Sequence, residues 1–246
     1  MYKKATFVLM SIGALLLVGN SASAKITKAE SYVTIKSSTE DDYTLRFNAT
    51  TLNNVSNASL YTETSLYAGG KVVDGAEGGA KASGTYTEIH GPQITYKLLT
   101  DHTESVKGNR TDYKQTDDFV TYKPSDWSFA SQEEDEVVKV ESAEQAQAAK
   151  AFENILIQQA NEISQDTGID LSEYSLIDKQ KVFEMDSGLF DEVHELTRAS
   201  SLQVGDSMPQ IHLHESGKSL YVLRQYADGT SKAIEFVLEN GKWEKQ

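Results

Sequence analysis

"YVTIKSSTEDDYTLRFNA", residues 32–49, decides how the first half of the chain folds. In both arms, YVTIK and YTLRFNA, apolar and polar residues alternate. A period of two sends one set of side chains to a core and the other to water. Asp41-Asp42 between the arms supplies a turn. Half-buried antiparallel strands give this pattern, and it returns in TYTEIHG, residues 85–91. Eight of the 12 tyrosines fall within residues 31–125, which marks that whole stretch as β structure. Gly69-Gly70 and Gly91-Pro92 mark further turns.

One segment breaks the alternation. "GGKVVDGAEGGAKASG", residues 69–84, holds six glycines. A phosphate loop needs a GxxxxGK[ST] spacing with a helix behind it, and neither is present. The expectation is a mobile hairpin loop or lid.

The pattern changes after "SDWSF", residues 125–129. An acidic run follows, "QEEDEVVKVESAE", residues 132–144. It reads as a solvated linker, with a landing surface for a basic partner as the sharper alternative. Ser142 and Gln145 then form a capping box. Phe152, Ile155, Leu156, Ala160 and Ile163 recur at helical spacing, so a helix is expected over 143–166, with Gly168 as its stop. Gln158, Gln159 and Glu162 form its solvated face. Leu189, Val193 and Leu196 place a shorter helix in "LFDEVHEL", residues 189–196. Asp228-Gly229 is read as a two-residue hairpin turn. That register pairs Tyr221 with Phe236 and Leu223 with Ile234 on one apolar face. Asn240-Gly241 offers a last turn before a short strand with Trp243.

The fold class is therefore α+β: mainly antiparallel β-sheet with a central amphipathic helix and a C-terminal β-hairpin. Three segments are expected: a leader (1–24), a β-rich region (25–130) and an α+β region (131–246). The last two are either two domains or two parts of one core.

The leader is a signal peptide by pattern. Lys3 and Lys4 precede an apolar run over residues 5–18, and Ala22-Ser23-Ala24 offers a cleavage site. The expected location is secreted, and a cysteine-free exported chain fits a bacterial source. Without cysteine there are no disulfides, so packing alone must hold the fold. No second apolar stretch is long enough for an integral membrane segment after signal cleavage. The formal charge of −14 repels nucleic acid and anionic bilayers.

Motifs for chemistry are sparse. His212 and His214 share one face of a strand and form a weak metal pair, for which His194 or a remote carboxylate would have to complete the set. His194-Glu195 resembles the start of a zinc-protease motif, but the position that needs a second histidine is Arg198. There is no G-x-S-x-G elbow, and cysteine catalysis is excluded. Neither a catalytic set nor a cofactor is assigned. The expected function is a secreted, non-enzymatic binding or interaction protein. Its expected partner is an extracellular or cell-surface protein or a small-molecule ligand, with an apolar molecule among the candidates. The alternative is a secreted hydrolase acting on extracellular or cell-wall polymer.

Overall fold

A computed structural model describes residues 25–38, 41–124 and 142–246. The leader, most of the acidic run and the 130/131 boundary lie outside the described residues. Seven strands come first: β1 (Ile26–Ser38), β2 (Asp42–Asn53), β3 (Ser59–Ala68), β4 (Lys71–Gly78), β5 (Lys81–Ile89), β6 (Ile94–Val106) and β7 (Asn109–Tyr122). They form two sheets, ordered β1-β2-β5 and β4-β3-β6-β7. The sheets curl face to face into a flattened barrel, with β4 leading into β5 on one side and β1 lying along β7 on the other.

Seven strands that alternate in direction along the chain leave β1 and β7 parallel, and side chains stitch that seam. Asp112 and Asp118 of β7 each accept a backbone N–H of β1, from Ile26 and Val33, at 2.8 Å. Lys114 Nζ donates to the Ile26 carbonyl at 2.8 Å.

The interior is filled rather than hollow. Tyr43, Leu45, Phe47, Leu66, Tyr96, Leu98 and Tyr122 pack together as one cluster. Tyr43 and Tyr122 stack at 3.9 Å. Farther along the barrel the interior turns polar around His102, whose ring lies between Thr51 Oγ1 at 2.7 Å and Thr116 Oγ1 at 2.8 Å.

The glycine-rich run is not a lid: it is β4, a tight turn and β5. Gly84 shows why the small residue is needed inside a strand. A Cβ there would lie 2.3 Å from Phe47 Cζ, in the packed interior.

The second half contains α1 (Ser142–Thr167), β8 (Tyr174–Ile177), α2 (Lys179–Met185), α3 (Ser187–Thr197), a 3-10 turn (Ala199–Ser201), β9 (Gln210–His214), β10 (Ser219–Gln225), β11 (Ser231–Glu239) and β12 (Lys242–Lys245). The five strands form one antiparallel sheet, ordered β12-β11-β10-β9-β8. α1 covers one face through Ala160 and Ile163. α2 and α3 cover the other through Val182, Leu189, Phe190 and Val193, where Tyr113 of β7 joins the same cluster.

Two details of the second half differ from the sequence reading. The terminal hairpin is slipped by one residue: Leu220 faces Phe236 and Val222 faces Ile234. Tyr226 N–H still bonds Thr230 O at 2.9 Å, so the loop has three residues, with Gly229 at φ +86°. Such loops combine an ordinary turn with a left-handed glycine, and a one-residue slip exchanges the faces. Gln145 Nε2 donates across to Asp118 Oδ1 at 2.9 Å, tying the start of α1 to β7. Gln159 is buried, not solvated, and its amide donates to Gly70 O at 3.2 Å. There α1 lies so close to the Gly69-Gly70 turn that a Cβ on Gly70 would sit 2.7 Å from Ile155 Cγ2.

These contacts tie the halves together. The β3–β4 hairpin also bonds the segment before β9, with Met208 N–H to Gly70 O and Val72 N–H to Asp206 O, both at 2.8 Å. Tyr67, Val72, Phe152 and Leu156 form a further cluster across the junction.

Candidate functional site

A cleft of about 460 Å³ opens where the outer face of β6 and β7 meets α1, β8, α2 and β9. The size is that of a small-molecule site. Its walls mix apolar and polar side chains, the apolar ones including Leu99 from β6, Leu156 from α1, Leu176 and Ile177 from β8, Met208 and Ile211. β6 explains how charge enters such a place. This strand is buried on both faces, so its even residues fill the barrel while Lys97, Leu99 and Asp101 point toward the helices. Two lysine–carboxylate pairs result.

Lys97 and Lys179 both line the cleft. Lys179, the first residue of α2, bonds Asp101, and their side chains are 4% and 7% exposed. The other oxygen of Asp101 accepts Tyr113 Oη–H at 2.6 Å and Gln115 Nε2–H at 2.9 Å. Burial alone would raise this carboxyl; the Lys179 charge and these hydrogen bonds hold it below the ordinary range. Burial pushes the Tyr113 phenol well up. Glu63 stands opposite Asp101 on β3, takes Ser200 N–H at 2.8 Å, and is raised chiefly by burial. The Lys97 pair is built otherwise. Its ammonium lies 3.0 Å from Asp117 Oδ2 and 5.1 Å from the Phe119 ring centre, and Asp117 is 47% exposed.

The three histidines singled out in the sequence occupy three environments. His194, on α3, stacks on Phe190 at 5.3 Å with Nδ1 3.9 Å from Asp101 Oδ2. Burial, together with the Lys179 charge, pushes it down to about 4. His212 and His214 do share a face, yet each ring is engaged elsewhere. His212 is buried, pushed down to about 4, and lies 3.2 Å from Gln210 Oε1. His214 is at the surface, with Nε2 2.9 Å from Glu173 Oε2 and Nδ1 2.7 Å from Ser216 Oγ. His194 serves the opposite face of the sheet from this pair. Among the described residues, no three histidine or carboxylate side chains converge to hold a metal ion.

Lys97, Asp101, Asp117 and Lys179 escaped the sequence reading. The available signal was "KLLTD", residues 97–101. It places a charge two residues to either side of Leu99, on the strand face opposite Leu98. No protein-family model, curated protein or solved structure matches the chain.

Proposed function

We propose that this is an exported, non-enzymatic binding protein that holds a small, partly apolar molecule in the cleft between the barrel and the C-terminal sheet. The cleft carries the reading: six apolar side chains from four elements and one connecting segment converge around about 460 Å³. Apolar walls supply the affinity, and a few placed polar groups set orientation. The barrel interior is instead packed with tyrosine, phenylalanine and leucine. Export is supported by the Lys3-Lys4, apolar-run and Ala22-Ser23-Ala24 pattern. No helix among the described residues is long and apolar enough to cross a membrane.

Native mass spectrometry of the full-length protein, purified without detergent or chelator, tests the binding reading. A retained small-molecule mass that Met208→Trp abolishes supports it. A retained mass that Met208→Trp leaves intact moves the binding site elsewhere.

A second reading, a hydrolase of extracellular or cell-wall polymer, draws on the Ser216–His214–Glu173 chain. Ser216 N–H donates to Nδ1 at 3.1 Å, so the ring proton sits on Nε2 and faces Glu173. That leaves Nδ1 positioned to take the Ser216 hydroxyl proton as Oγ attacks an acyl carbon and to pass it to the alcohol or amine that departs as the acyl bond breaks, after which water hydrolyses the acyl-serine. Labelling of Ser216 by a fluorophosphonate would support this reading, and an unlabelled Ser216 removes it.

A further inference from the structure

Resting on the cleft as the binding site, we infer that its ligand is an amphipathic organic anion whose carboxylate is held by Lys97. The Lys97 side chain is only 11% exposed, so its charge requires an anion at close range. The anion it has is its own neighbour on β7. Asp117 is 47% exposed and regains water at little cost when it turns away. An incoming carboxylate replaces one carboxylate by another, keeping the ion pair and the contact over Phe119 and Phe152. Asp117 Oδ2 thus marks where a ligand oxygen fits.

The other cleft cation is not exchangeable in this way. Lys179 is held by a carboxylate that is itself buried and bonded by Tyr113 and Gln115. The charge around the cleft points in the same direction. The chain carries −14 overall, yet at the cleft Lys97, Lys179 and Lys181 balance Asp117, Asp178 and the buried Asp101. A locally neutral patch admits an anion that the surrounding surface repels. The apolar part of the ligand lies among Leu99, Leu156, Met208 and Ile211.

Calorimetric titration of the full-length protein with dodecanoate, dodecanol and dodecyltrimethylammonium, all below micellar concentrations, tests this. Dodecanoate should bind about tenfold more tightly than dodecanol, and the cation more weakly than either. Asp117→Asn removes the competing carboxylate and should tighten dodecanoate several-fold while leaving dodecanol unchanged. Lys97→Met should erase the preference for the acid. Equal binding of acid and alcohol, or weaker dodecanoate binding to Asp117→Asn, overturns the head-group assignment while the cleft reading stands. Failure of all three compounds to bind overturns the cleft reading itself.

Discussion

The two lysines of the cleft make the same bond under opposite conditions. Lys179 and Asp101 are both sealed from water, whereas Lys97 is sealed and Asp117 is not. A sealed pair cannot trade partners, because each charge left behind is stranded in a poorly solvating interior. A half-open pair can, because the departing carboxylate goes back to water. One pair therefore acts as a clasp between barrel and helix layer, and the other as an exchangeable anion site.

The largest effect that could break this comparison comes from the clasp. Asp101→Asn should cost about 3–5 kcal/mol in urea unfolding, since it leaves Lys179 buried without a counter-charge. A cost near that of a surface change would show that the clasp is not sealed.

Acid should loosen the same region. His102, His194 and His212 are held down to about 4, each chiefly by burial. An unfolded histidine titrates near 6.5, so the unfolded chain binds more protons below that pH. Their contribution is full above pH 6.5 and falls as pH drops toward 4, by at most about 1.4 kcal/mol per pH unit for each residue. Asp101, held low, adds a loss below the ordinary carboxylate range. Glu63 and Asp118, raised chiefly by burial, act in the opposite sense by binding protons more readily when folded. The urea midpoint should fall between pH 7 and pH 4, and His194→Gln should flatten the slope.

Asp117→Asn sharpens the contrast from the other side. It should cost less than Asp101→Asn in the same urea assay, about 1–2 kcal/mol, because the lost partner is half-exposed and only Lys97 is left without its counter-charge. Smallest of all is His214→Ala, in the surface turn, expected within about 0.5 kcal/mol by thermal unfolding.

The legibility of these features follows the range of the interactions behind them. The strands around Asp41-Asp42, the Gly69-Gly70 turn and the helix ending at Gly168 are set by local spacing, and all are found where the pattern puts them. The terminal hairpin was half legible. Asp228-Gly229 marks the turn, but loop length depends on whether Tyr226 and Thr230 pair, and that decides which face Tyr221 takes. The glycine-rich run misled because glycine serves flexibility and close packing alike. The Phe47 ring opposite Gly84 and α1 against Gly70 distinguish them. The cleft was not legible at all. Lys97 meets Asp117 across two strands, and Asp101 meets Lys179 across 78 positions of chain. No local periodicity records such meetings.

Hydrogen exchange with and without dodecanoate tests the account most directly. The account predicts added protection confined to the backbone amides near Lys97–Leu99, Gln115–Asp117, Leu176–Lys179 and Met208–Ile211. Protection centred instead on the barrel interior, around Tyr43–Phe47 and Val120–Tyr122, would contradict it.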